Sequence, residues 1–121
     1  MLRDVKTSRV LVARDGPDII ATLRFAWRKP WAIDLAYFHV VPKALYLHDM
    51  AVIPGMQRQG IGRRFIREAI AIARGWPGDA IRLDSYDASA GAGGFYAKCG
   101  FLEVGRVTYR NTPLIYFELL L

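Results

Sequence analysis

The chain has 121 residues, 53% of them hydrophobic and 23% charged, which supplies one packed core and excludes a disordered chain. No apolar run reaches the roughly 18 residues of a spanning helix, and a start that mixes Arg3, Asp4, Lys6 and Arg9 with single apolar residues is not a signal peptide, so a soluble cytoplasmic domain without a membrane partner is expected. Seventeen Lys and Arg against eleven Asp and Glu leave a net charge of +6 and point to an anionic partner, while a single cysteine, Cys99, excludes a disulfide framework and a cysteine-built zinc site.

Arg9–Ala13 (RVLVA) is a β-branched run stopped by the turn sequence Asp15-Gly16-Pro17, and Ile19–Trp27 resumes as a strand, so the two form a hairpin. Arg28-Lys29-Pro30 breaks that strand. Ala32–Val41 is a third apolar run with no clear period, and Pro42-Lys43 separates it from a strong strand, Leu45–Ile53. Ile61, Phe65, Ala69 and Ala73 then recur every fourth residue, widened by Ile66 and Ile70. Arg63, Arg64, Arg67 and Arg74 take the opposite side, so Gly62–Arg74 is an amphipathic helix, with Gly75 and Pro77 as stop signals. Ala80–Tyr86 alternates as a strand. Ser89–Cys99 reads as a short helix, with Ser89 at the N-cap and Gly100 at the left-handed C′ position. Leu102–Tyr109 and Leu114–Leu121 are closing strands around a turn at Asn111-Thr112-Pro113. This order predicts a mixed α+β sheet in a single domain over residues 1–121, with no linker or repeat to divide it.

The strand Leu45–Ile53 leads through Pro54-Gly55 and Gln57–Gly62 into the amphipathic helix, an arrangement that makes an anion cradle. The first-turn amides have no intrahelical acceptor, and the helix dipole adds partial positive charge. Gly60 and Gly62 let a ligand approach the backbone without meeting a Cβ. Arg58, Arg63, Arg64, Arg67 and Arg74 stand against Glu68 alone, so the basic excess is concentrated here. There is no G-x-x-x-x-G-K-[ST], and a G-x-G without the third glycine lacks the dinucleotide fingerprint.

Two segments in this order resemble the GNAT superfamily of acetyl-CoA-dependent N-acetyltransferases. One is Met50-Ala51-Val52 followed, after a Pro-containing turn, by Gln57-Arg58-Gln59-Gly60-Ile61-Gly62, against the family's [QR]-x-x-G-x-[GA]. The other is Ser89 to Phe101, with Phe95-Tyr96-Ala97-Lys98-Cys99-Gly100-Phe101 against the family's [FLY]-Y-x-K-x-G-F. The resemblance implies a GNAT-like α+β fold: a mixed, mostly antiparallel central sheet flanked by helices, with a strand–pyrophosphate loop–helix cofactor cradle. It implies acetyl-CoA as cosubstrate, no metal, and an acyltransferase that acetylates a primary amine of a small molecule or protein by direct attack in a ternary complex. Met50, Ala51 and Val52 would pair with the pantetheine arm through their backbone. The amides of Arg58, Gln59, Gly60, Ile61, Gly62 and Arg63 would cradle the pyrophosphate. Tyr96 would lie near the sulfur and protonate the departing thiolate, and Ser89 stands where the family often has an Asn that contacts the arm. Phe95 and Phe101 are read as core.

The base is read as His48 or Asp84, each with a purely structural alternative. His48 is placed by strict alternation on one strand face with Tyr46, Met50 and Val52, and Asp49 on the other. Cys99 is read as packing. Only about eight residues precede the first clear strand, so the acceptor-side helices usual in the family are expected to be missing. Their absence implies a wall supplied by a homodimer partner, a pocket open to a large acceptor, or reduced activity. Trp27, Trp31, Tyr37 and Phe38 would form an oligomer face, line the acceptor site, or simply pack the core. A CoA-binding module without catalysis is the alternative function. A nucleic-acid-binding domain is disfavoured, because the arginines gather at one helix start and no nucleic-acid motif is present.

Overall fold

In the computed structural model, which describes residues 8–53, 60–88 and 92–121, Gly16 at φ +60° turns strand β1 (Ser8–Asp15) straight back as β2 (Asp18–Ala26). The chain continues through β3 (Ala44–Val52), α1 (Ile61–Gly75), β4 (Ala80–Tyr86), α2 (Gly93–Lys98), β5 (Leu102–Tyr109) and β6 (Thr112–Leu120). The six strands form one sheet in the order β1-β2-β3-β4-β6-β5. Every neighbouring pair is antiparallel except β3 and β4, which are parallel and therefore need the long crossover that α1 provides.

The third apolar run is not a strand. Between β2 and β3 the chain makes a single 3₁₀ turn at Leu35–Tyr37, whose first amide is capped by Asp34 Oδ1 at 3.0 Å to Ala36 N. With no period-two pattern, and with prolines at 30 and 42 bounding it, this segment lacks the apolar face of a sheet strand. The closing turn also sits one residue earlier than its composition suggests. Arg110 and Asn111, at φ 48° and 69°, form it, and Thr112 is already paired with Tyr109. Two left-handed central residues match the twist of a two-residue hairpin.

Both helices lie on one face of the sheet. Phe65, Ile66, Ala69 and Ala73 of α1 pack with Leu23, Phe25, Leu45, Leu47 and Leu83, and Tyr96 of α2 extends the same core with Phe101 and Phe117. The amphipathic stripe thus buries as its spacing requires, with Arg63, Arg64, Arg67 and Arg74 exposed. The helix α2 ends in a Schellman motif: Gly100, at φ +96°, donates to Ala97 O and Phe101 donates to Tyr96 O, each at 3.1 Å. Its N-cap position is held by Ala92, and Ser89 lies outside the described residues.

The second face carries no helix among the described residues. Ile33, Phe38, Tyr46 and Tyr116 form a smaller core there beneath the 27–43 segment. That segment is fastened by a buried ion pair. Arg82 Nε donates to Glu118 Oε2 at 2.9 Å, while His39 bonds Glu118 Oε1 through its Nδ1 (2.6 Å) and its backbone N–H (3.3 Å). Arg82 completes the network with donations to Tyr46 OH at 3.0 Å and to the His39 carbonyl. Burial works to raise the Glu118 carboxyl, but the His39 and Arg82 hydrogen bonds hold it below the usual carboxylate range.

Candidate active site

The parallel ladder between β3 and β4 pairs Ala44 with Ala80, Leu45 with Ile81 and Tyr46 with Arg82, and goes no further among the described residues. β3 nevertheless runs on to Val52, held by β2, and β4 to Tyr86, held by β6. The two central strands therefore part in the middle of the sheet. On the helical face a cavity of about 1210 Å³ opens beside this gap, and its walls include Met50, Ala51, Val52, Gly60, Gly62, Arg63 and Tyr96. Seven residues assigned to cofactor binding from sequence thus share one cavity. Ile61 opens α1 beside it, and Arg58, Gln59 and Ser89 lie outside the described residues.

Gly60 is the N-cap of α1 at φ +77°, a backbone that L side chains rarely adopt, and no side chain among the described residues caps the helix there. The first turn also holds no acidic residue, so its amides and dipole present unneutralised positive character toward the cavity. Gly62 has a different reason from the one its motif suggests. A Cβ there would lie 3.0 Å from the Phe95 ring, so the glycine makes room for a protein side chain. Phe95 accordingly does more than pack the core: it lines the cavity against the helix start. Gly93 and Gly94 also line the cavity, and a Cβ at Gly94 would meet nothing within 4 Å, so close helix–sheet packing does not account for that glycine.

Tyr96 is only 7% exposed, stacked among Phe95, Phe101 and Phe117. Burial first, and then the charges of Cys99 and Asp84, push its hydroxyl up to about 12, so it stays a proton donor throughout the neutral range. Cys99 packs against the main core, and burial raises its thiol despite Arg63 and Arg67 nearby.

The strict alternation assumed for β3 fails at His48. Phe25 pairs with Leu47 and Arg24 with Asp49, so His48 is the extra residue of a β-bulge. Beyond it the sides exchange: Met50 and Val52 pack on the main core with Leu45 and Leu47, whereas Tyr46 belongs to the second face. His48 Nε2 donates to the Arg28 carbonyl at 2.7 Å. Asp49 is paired with Arg24 at 3.1 Å on the exposed second face. Asp84 alternates with the core residues Ile81 and Leu83 and so lies toward the second face. Burial raises its carboxyl, with a self-contained backbone hydrogen bond and the His48 charge opposing. Tyr96, Asp84 and His48 are thus drawn into one electrostatic neighbourhood, with Tyr96 on the helical face of the gap and Asp84 on the other.

Arg106, on the cavity rim, was not singled out from sequence. Glu103 binds it twice at 3.0 Å and Asp87 at 3.5 Å. Its position depends on an irregular register in β5 between Glu103 and Gly105, which alternation does not reveal. The buried Arg82–Glu118 pair was also missed. Its one sequence trace is a charged residue flanked by apolar ones in each strand, Ile81-Arg82-Leu83 and Phe117-Glu118-Leu119. The four aromatics of the 27–43 segment divide: Trp27 packs on Trp76 at 5.2 Å, Phe38 is buried, Tyr37 is half exposed on Tyr116, and Trp31 is exposed.

Residues 2–101 match the family model "Acetyltransferase (GNAT) family". No curated protein sequence matches the chain. Among solved structures, a Desulfovibrio desulfuricans protein assigned to the GNAT-family acetyltransferases is 18% identical, covering 97% of this chain and 70% of that one at TM-score 0.75. A Bacillus anthracis protein assigned as a streptothricin acetyltransferase, in complex with acetyl coenzyme A, is 21% identical over 95% of this chain at TM-score 0.75, and this chain spans only 63% of its length. An aminoglycoside 6′-N-acetyltransferase complexed with coenzyme A is 15% identical, covering 94% of this chain and 73% of that one at TM-score 0.74. At these identities the likeness is one of fold.

Proposed function

The chain belongs to the acetyltransferase (GNAT) family, and from that premise we propose that it transfers an acetyl group from acetyl-CoA to a primary amine by direct attack in a ternary complex. The observation that carries this reading is the gap beyond Tyr46 and Arg82, opening on a cavity of about 1210 Å³ that ends at the N-terminus of α1, where the N-cap is a glycine. The residues present fit CoA. The amides after Gly60, with Arg63, suit a pyrophosphate. The β3 edge at Met50–Val52 suits an extended amide arm, and Gly94 leaves space along the way. Acetyl-CoA, when bound, supplies a thioester carbonyl open to nucleophilic attack.

The chain's own groups divide the remaining work. Asp84, with its carboxyl raised by burial, accepts a proton from the incoming ammonium on the second face. The neutral amine forms the C–N bond as the C–S bond breaks. Tyr96, still protonated, donates its proton to the leaving sulfur from the helical face, and the proton that the new amide nitrogen sheds returns to the Tyr96 phenolate, so the phenol is regenerated. All the described strands belong to one sheet, which supports a single acetyltransferase domain over residues 1–121. A non-catalytic CoA module has no observation in its favour.

The test is CoA titration by calorimetry, followed by thiol release from acetyl-CoA across a panel of primary amines. Micromolar binding with amine-dependent thiol release is expected. Absence of binding overturns the reading, and binding without release from any amine overturns the catalytic half.

A further inference from the structure

On the second face, the 27–43 segment and the β5–β6 hairpin enclose another cavity, of about 460 Å³. Four aromatic side chains line it, Trp31, Tyr37, Tyr109 and Tyr116, and Asp34 is the one charged residue among its described lining. In a chain of net charge +6, this cavity is walled by aromatic rings and a single carboxylate, with no cation in its described lining.

Two of its rings, Tyr116 and Tyr37, are held in place. The Tyr116 hydroxyl donates to the Ala32 carbonyl and accepts from the Asp34 N–H at 3.1 Å, so it is already committed. Tyr37 stands edge-on to Tyr116 at 5.4 Å and presses on Gly105, where any Cβ would collide with its ring. Asp34 uses Oδ1 as a cap and keeps Oδ2. Trp31, 84% exposed, offers its ring to solvent, and Arg110 already rests over Tyr109 at 5.3 Å, a cation on one ring of the set. Aromatic rings beside a carboxylate are the chemistry that holds an organic ammonium.

We infer that this cavity is a subsite for an organic ammonium group, and that it takes the second, unreacting cation of a diamine acceptor. The acceptor half rests on the N-acetyltransferase reading. The two sites share β6: Tyr116, in the cavity wall, is the register partner of Asp84, and the Asp84 charge acts on its hydroxyl. A diamine would place its neutral amine by Asp84 while its remaining cation sits among the rings. A simple monoamine has no group for the subsite.

Tetramethylammonium chloride, titrated into the full chain against sodium chloride at equal ionic strength, tests the subsite through tryptophan fluorescence. A saturable change is expected that Trp31→Phe abolishes. Asp34→Asn keeps the cap and should weaken the probe by about three- to tenfold. A response identical to that of sodium overturns the subsite. Thiol release with 1,4-diaminobutane and with butylamine then tests the acceptor: a KM at least about threefold lower for the diamine is expected, with the difference closed in Asp34→Asn. Equal KM values overturn the diamine assignment. No release from either amine overturns it together with acetyl transfer, whereas the fluorescence titration decides the ammonium subsite alone.

Discussion

In the proposed reaction, Tyr96 and Asp84 would owe their roles to burial. Both are pushed up by desolvation, but with opposite consequences, since the phenol is kept as an acid and the carboxyl is made a better base. Replacing Tyr96 by Phe should lower kcat for thiol release by about 10²-fold while CoA affinity, read by calorimetry, stays within about twofold. The same shift has a stability signature. Tyrosine in the unfolded chain ionises near 10 and Tyr96 only near 12, so wild-type stability should fall by about 3 kcal/mol as pH rises between those values. Chemical denaturation of Tyr96→Phe should lack that fall. For Asp84 the active form is the deprotonated one, so kcat should rise with pH through a value above the ordinary 3.8. Asp84→Asn should remove that limb and cost about 10²-fold in kcat, and an unchanged profile would place the base elsewhere.

At the scale of elements, the junction of β3 and α1 depends on two glycines with different duties. Gly60 holds a left-handed backbone with open space around it, so Gly60→Ala should cost roughly 1 kcal/mol of stability through strain alone. Gly62 is helical but faces the Phe95 ring, so Gly62→Ala must displace that ring from the cavity wall. Its expected effect is a loss of CoA affinity of about three- to tenfold, at the low end of overpacking costs, with little change in far-UV circular dichroism. Gly94 is the contrast. A Cβ there meets nothing, so Gly94→Ala should stabilise the short helix by up to about 1 kcal/mol in urea denaturation.

Across the whole molecule, the two faces of the sheet are built differently. One is covered by helices over a continuous apolar core, the other by an irregular segment pinned to the Arg82–Glu118 pair. The side chains of that pair are 7% and 1% exposed, so removing one partner strands the other's charge. Glu118→Ala should destabilise by about 3–5 kcal/mol in denaturant titrations. Because the Glu118 carboxyl is held below its ordinary 4.5, its contribution is present above that value and lost as pH falls below it, and Glu118→Gln should lack this acid-side decline. A retained dependence in the Gln variant would assign the decline to other carboxylates.

By itself the sequence determined the order of elements, the face α1 buries and the helix start poised for an anion, because each follows from periodicity, glycine placement and chain order over a few residues. It also brought Met50–Val52, Gly60, Gly62, Arg63 and Tyr96 to one cavity through two short segments. Tertiary structure alone decided the rest. The bulge at His48 arises from how β3 meets β2, and it reverses which side of the sheet Met50 and Val52 face relative to Tyr46. The parting of β3 from β4 reflects a ladder that ends after Tyr46 and Arg82, something no single strand encodes. Arg82 and Glu118, 36 residues apart, become a buried pair only because β4 and β6 place them side by side. Local propensity acts over one helical turn or one strand, whereas register and burial are set by partners far along the chain.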